Sequence, residues 1–122
     1  MPRIVHFEIP ADNPQRAMKF YADVFGWKSD KWPGPEDYWL VTTGAASEPG
    51  INGGLMKKRD PAQPVVNTIG APSIDDYVAR VTKSGGTIVV PKQAVPGVGW
   101  LAYFKDTEGN ITGLMQNDPS AK

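Results

Sequence analysis

The 122-residue chain has no cysteine. This excludes disulfides, thiolate metal sites and a cysteine nucleophile, and it fits a reducing cytosol. Histidine occurs once, at position 6. Neither sign of charge is in excess, with 13 Lys+Arg against 13 Asp+Glu. Such a chain has no electrostatic footprint for nucleic acid or an anionic membrane surface. It also lacks the net repulsion that opposes self-association. No apolar run approaches the roughly 20 residues that span a bilayer. The opening Met1-Pro2-Arg3-Ile4-Val5-His6 is already strand-like and lacks the regions of a signal peptide. Gly53-Gly54 is not followed by Lys-Ser/Thr, so there is no phosphate loop. A serine nucleophile elbow is also missing. The expectation is a soluble cytoplasmic protein with no nucleic-acid or membrane partner.

What is present suffices for one ordinary core: 40% of residues are apolar and 10% aromatic. Ile4 to Ile9 reads as a strand closed by Pro10, with His6 and Glu8 on one face and Val5, Phe7 and Ile9 on the other. Asp12-Asn13-Pro14 reads as a helix start. Ala17, Phe20, Tyr21, Val24 and Phe25 recur at helical spacing, which predicts an apolar stripe, and Gly26 is the stop. Strands are expected at 27–32, 38–43 and 51–57, with a turn at Pro33-Gly34-Pro35. After a linker at 60–64 the order repeats. A strand at 65–71 leads to a helix capped by Ser73 and ended by Gly85-Gly86, then strands at 87–90, 98–104 and 111–116. Pro91 to Gly97 is expected to be a loop and a candidate lid.

Three echoes support a duplication. Tyr38-Trp39-Leu40 matches Gly99-Trp100-Leu101, Gly54-Leu55-Met56 matches Gly113-Leu114-Met115, and Gly26 matches Gly85. All three are about 60 residues apart. The expected fold class is α+β: two βαβββ modules, about 1–60 and 64–118, in one domain.

His6-Phe7-Glu8-Ile9-Pro10, Phe20-Tyr21 and Phe25-Gly26-Trp27 resemble the opening of a vicinal-oxygen-chelate module, from the glyoxalase, bleomycin-resistance and extradiol-dioxygenase group. Ser73-Ile74-Asp75-Asp76-Tyr77 and Asp106-Thr107-Glu108-Gly109-Asn110 resemble its second half. The resemblance implies a half-open concave mixed sheet cupping a small molecule, with helices on the outer face. Members of this length commonly pair, so a homodimer is expected. In metal-dependent members about four side chains hold a divalent ion. His6 falls on the first of those positions. The second falls on Asn67 by analogy between Val5-His6 and Val66-Asn67, although counting back from Gly85 points to Val66. The remaining two fall on Gly54 and Gly113, which carry no donor. His6 is the only plausible remaining ligand, so no metal cofactor is expected.

His6 and Glu8, at i and i+2 on one strand, can form a proton-transfer pair. Gly54 and Gly113 would leave a roomy floor, because mid-strand glycine otherwise costs roughly 0.5–1 kcal/mol relative to alanine. Tyr38, Trp39, Trp100 and Tyr103 are candidate aromatic walls for a planar ligand, with core packing as the alternative for each. The leading functional expectation is a protein that binds a small organic molecule without the family metal. The alternatives are a metal-dependent lyase, isomerase or dioxygenase using His6, resembling lactoylglutathione lyase, and a non-catalytic interaction module. Whether the protein is an enzyme stays open at this point.

Overall fold

A computed structural model describes residues Met1–Lys122. The element order is β1 (Arg3–Ala11), α1 (Pro14–Phe25), β2 (Lys28–Lys31), β3 (Tyr38–Thr42) and β4 (Gly53–Lys57). It continues with β5 (Val66–Gly70), α2 (Ile74–Lys83), β6 (Thr87–Val95), β7 (Gly99–Lys105) and β8 (Ile111–Asn117). This is the α+β class with the βαβββ order twice over. The chain divides into two compact units, His6–Val65 and Met1–Val5 with Val66–Lys122.

The first unit orders its strands β2-β3-β4-β1. β1 and β4 run parallel with Glu8 opposite Gly54, and β3 and β4 run antiparallel with Leu40 opposite Gly54. Asn13 caps α1 by accepting from the Arg16 backbone N–H, and Pro14 occupies the first turn, where a missing N–H costs nothing. Gly26 ends the helix at φ 74°, a conformation that glycine adopts without penalty. Val41 and Leu55 are buried. Beside them Tyr21 stacks on Trp27 at 4.9 Å, and Trp27 meets Phe7 at 5.8 Å. Ring pairs of this kind contribute about 0.5–1.5 kcal/mol beyond their buried area.

The expected stripe on α1 is only partly covered. Ala17 and Tyr21 are half-buried, but Phe20, Val24 and Phe25 are 56–60% exposed. The helix does form with its apolar residues aligned, but its packing against β2 and β4 reaches only one flank of that stripe.

The second unit orders its strands β5-β8-β7-β6. β5 and β8 are parallel with Thr68 opposite Gly113, and the other pairs are antiparallel. Ser73 caps α2 through the Asp76 N–H, acidic residues fill its first turn, and Arg80 and Lys83 lie in its last. That distribution complements the helix dipole. Ile74, Ala71, Ala102 and Leu114 form a buried cluster, and Tyr77, Val78, Val81, Trp100 and Phe104 pack around it.

The expected loop at 91–97 is a correction. β6 runs through Pro91 to Val95 with register shifts along β7. Its only neighbour is β7, so it is an edge strand of its unit. An edge position tolerates a proline because one row of backbone groups needs no ladder partner. Only a short turn remains before Gly99, and no lid is present there.

Candidate functional site

Strand alternation sets out the chemistry of the first unit. His6, Glu8, Gly54, Tyr38 and Leu40 share one face, by the pairings Glu8 with Gly54 and Leu40 with Gly54. Phe7, Gly53, Leu55 and Trp39 share the other. Trp39, expected as a ligand wall or as core, stands on the face of the buried Leu55, its direct cross-strand partner. Lys31 Nζ lies 5.9 Å from its ring centre.

On the first face, His6 Nε2 and the Tyr38 hydroxyl form a hydrogen bond of 2.6 Å. The two rings are nearly parallel, 13° apart, with centroids 6.4 Å apart. Trp32 presents its edge to Tyr38 at 6.2 Å and 76°. Its indole lies over Gly34, where a Cβ would collide with the ring. Lys31 Nζ staples this turn, reaching the carbonyls of Trp32 and Glu36 and pairing with Asp37 at 3.5 Å. Sequence analysis placed Trp32 only at the end of the strand expected at 27–32. The tryptophan and glycine of Trp32-Pro33-Gly34 were the available signal, because a ring two residues from a glycine can fold back onto it.

The mid-strand glycines do not leave open floor in this unit. A Cβ on Gly53 would run into the Phe7 ring, and one on Gly54 would run into the Tyr38 hydroxyl and ring. Neither glycine has a positive φ, so the reason for glycine at both positions is space.

Burial lowers the His6 pKa from its ordinary 6.5, and the nearby Glu8 carboxylate partly offsets this. The imidazole is therefore neutral near pH 7. In its Nδ1–H tautomer it accepts the Tyr38 O–H, and in the other it donates to the tyrosine oxygen. A histidine held neutral in the folded state binds its proton more readily when unfolded. Its stabilising contribution is complete above pH 6.5 and is lost as pH falls from there through the folded value. Urea unfolding at pH 7.5 and 5.5 should show a loss of stability at the lower pH that His6→Gln reduces. An identical pH profile for the variant would refute this.

In the second unit the one-residue analogy that chose Asn67 does not hold. The β5–β8 register puts Thr68, and not Asn67, beside Gly113, and Tyr103 faces Gly113 from β7. Thr68 is 3% exposed, whereas Asn67 is exposed and of opposite parity. A Cβ on Gly113 would approach Thr68 Oγ1 at 3.0 Å and the Tyr103 ring at 3.3 Å. Val66, the alternative reached by counting from Gly85, is two residues before Thr68, as His6 is before Glu8. Trp100 is not on this face. It packs on the α2 cluster, donates from Nε1 to Asp118 at 3.1 Å, and carries Lys92 Nζ 4.7 Å over its ring.

The structure therefore brings together His6, Glu8, Tyr38 and Gly54, and separately Thr68, Tyr103 and Gly113. No group of three or more His, Asp or Glu side chains converges to hold a metal ion. Transition ions need three or four such donors, so these residues do not fit the divalent ion of the metal-dependent family members.

The profile of the Glyoxalase/Bleomycin resistance protein/Dioxygenase superfamily matches residues 3–113. The chain belongs to that superfamily. It is 26% identical over 113 residues to the "Putative glyoxylase CFP32" of Mycobacterium bovis and Mycobacterium tuberculosis. The match covers 89% of this chain but only 43% of CFP32, so the chain spans less than half of that relative's length. A glyoxylase-like domain-containing protein of Didymella fabae is 30% identical over 120 residues, covering 92% of this chain and 91% of the relative. Among solved structures, a methylmalonyl-CoA epimerase with methylmalonyl-CoA and NH4+ superposes at a TM-score of 0.72. It has 13% identity and covers 100% of this chain and 99% of that one. A superfamily member from Vibrio splendidus 12B01 gives 0.66 at 17% identity, covering 97% of this chain and 100% of that one. At these identities the structures establish the fold. No helix is long and apolar enough to cross a membrane.

Proposed function

We propose that the protein binds a small organic molecule on the His6–Tyr38 face of its first module, without the divalent ion of the metal-dependent members of its superfamily. One observation carries this reading. His6 Nε2 is hydrogen-bonded to the Tyr38 hydroxyl, and the Tyr38 ring fills the space above Gly54. What remains is a neutral polar pair with aromatic rings around it, a surface suited to a planar or acyl ligand with one hydrogen-bonding group. Solved relatives of this fold hold CoA esters, among them methylmalonyl-CoA and 2-nitronate-propionyl-CoA, which supports an organic ligand. The neutral His6 beside Glu8 suits proton transfer, should the bound molecule react.

The same reading includes a homodimer in the cytoplasm. The exposed Phe20, Val24 and Phe25 on α1 support association, because a balanced-charge chain has little to oppose it.

The test is a thermal-shift screen of aromatic acids, quinones and acyl thioesters, with metal analysis and light scattering on the same preparation. A ligand at a hundred times its Kd should add about 2.7 kcal/mol of stability. His6→Ala should remove most of that gain and leave metal content unchanged and far below one equivalent. The reading fails if purified protein carries near one equivalent of a transition metal that His6→Ala abolishes. A monomer mass at tens of micromolar would refute the dimer alone.

A further inference from the structure

We infer that Tyr38 has taken over the place that a β4 side chain at position 54 would hold beside His6, so that Tyr38 and Gly54 act as one unit that positions the imidazole. The inference deepens the reading of the same site, but it does not depend on any bound ligand.

Register comes first. Position 54 lies directly opposite Glu8 on β1 and Leu40 on β3. Any side chain there would rise on the face that carries His6, flanked by the two strands that hold His6 and Tyr38. Tyr38 is the diagonal neighbour, one pleat from Leu40, within reach of a long ring. Its hydroxyl and ring are the nearest atoms to a Cβ built on Gly54, and the overlap is too close for both to coexist. The same hydroxyl is 2.6 Å from His6 Nε2. One oxygen thus occupies the volume of a residue-54 side chain and is hydrogen-bonded to His6 Nε2.

The backbone offers no competing reason for the glycine. Gly54 is not among the positive-φ residues, and glycine inside a strand costs roughly 0.5–1 kcal/mol relative to alanine. Space for Tyr38 offsets that cost. An aromatic ring laid across a glycine on the neighbouring strand is a recognised way to stabilise such a position.

The second module provides an internal control. Gly113, the repeat partner of Gly54, would place a Cβ 3.0 Å from Thr68 Oγ1 and 3.3 Å from Tyr103. Those contacts are tight, and Thr68 and Tyr103 would have to give by a few tenths of an ångström to admit a methyl. The two glycines stand in equivalent repeats, yet only Gly54 is committed to an overlying hydroxyl that also holds the histidine.

The consequence concerns ion selectivity. With Tyr38 seated, His6 offers no unengaged Nε2 and strand β4 no donor. A donor supplied at 54 alone must first displace Tyr38, because the two compete for one volume, and that displacement weakens any cation site it builds. Removing the ring and adding a carboxylate together would place Glu and His on adjacent strands of one face, the start of a divalent site.

The chain has a single histidine, so its ring signals in a proton–nitrogen NMR titration need no assignment. Tyr38→Phe should shift the His6 pKa by roughly 0.4–1 unit, the net worth of one hydrogen bond. Gly54→Ala, by displacing Tyr38, should reproduce that shift in the same direction. The double variant should add nothing further, and Gly113→Ala should leave His6 unchanged. In a Zn²⁺ titration, Gly54→Glu with Tyr38→Ala should bind at least about tenfold tighter than Gly54→Glu alone. If Gly54→Ala fails to fold alone but folds with Tyr38→Ala, that rescue supports the coupling. The inference is overturned if the His6 shifts of Tyr38→Phe and Gly54→Ala simply add. It is equally overturned if the double Glu–Ala variant binds Zn²⁺ no better than Gly54→Glu, or if Gly54→Ala misfolds in both backgrounds.

Discussion

Leu55→Ala and Leu114→Ala should each destabilise the protein by about 2–5 kcal/mol. The two leucines occupy the middle of the repeated Gly-Leu-Met and are 1% and 2% exposed. Leu55 sits between Ile9 of β1 and Trp39 of β3, and Leu114 between Ile69 of β5 and Ala102 of β7. Truncation removes apolar contact and leaves a cavity that paired strands on both sides cannot collapse to fill. Against the 5–15 kcal/mol of a typical domain, either loss is a large fraction of total stability. Leu40→Ala is the control. At 43% exposed it should cost less than about 1 kcal/mol. Urea unfolding gives the three values, with the midpoint moving and the slope unchanged. If either buried leucine behaved like Leu40, the equivalence of the two modules would be wrong at its central position.

That equivalence was legible in the sequence because it rests on local signals. Asn13-Pro14, Ser73, Gly26 and Gly85 are caps and stops whose physics acts within one turn of chain. Period-two alternation placed His6 and Glu8 on one face, in agreement with the β1–β4 register. What escaped was set by contacts between strands. The choice of Asn67 over Val66 was a slip of one residue, and in a strand such a slip changes the face. Pro91 read as a break because the edge position of β6 is a property of the sheet and not of the segment. The stripe on α1 was correctly periodic, yet periodicity cannot say how much of a stripe the sheet will cover.

The Gly54 site shows the same limit most plainly. The sequence marked glycine at a position where a donor would be needed and suggested open floor. The filling group, Tyr38, is 16 positions upstream, and its partner His6 lies 32 positions before that. Only the register of β1, β3 and β4 joins the three. The usable hint was Tyr38 two residues from Leu40 on a strand expected to pair with the glycine strand, a diagonal geometry that invites an aromatic ring.

Gly99→Ala should cost about 3 kcal/mol, the upper part of the range for overpacking a well-filled site, and lower the melting temperature by roughly 10 °C. The reason lies in the end of the β7–β8 ladder. Gly99 is buried opposite Asn117, and a Cβ there would collide with the backbone carbonyl of Gln116. A backbone atom cannot swing aside as a side chain can, so β8 itself must move. The Gln116 side chain accepts the backbone N–H of Ile74 at 3.0 Å and so fixes the start of α2. Asp118 accepts from Trp100, and its N–H donates to the Val98 carbonyl at 2.9 Å. Displacing this strand end therefore disturbs the helix that covers the core of the second module. Gly97, two residues away, separates space from backbone as the cause. It has φ 74° and nothing within 4 Å of a built Cβ, so alanine there meets only the left-handed backbone penalty of about 1–2 kcal/mol. Thermal unfolding of both variants should rank Gly99→Ala well below Gly97→Ala, with far-UV circular dichroism of the former showing helix loss ahead of the main transition. Equal costs at the two positions would mean that β8 yields to the new methyl and that its end does not anchor α2.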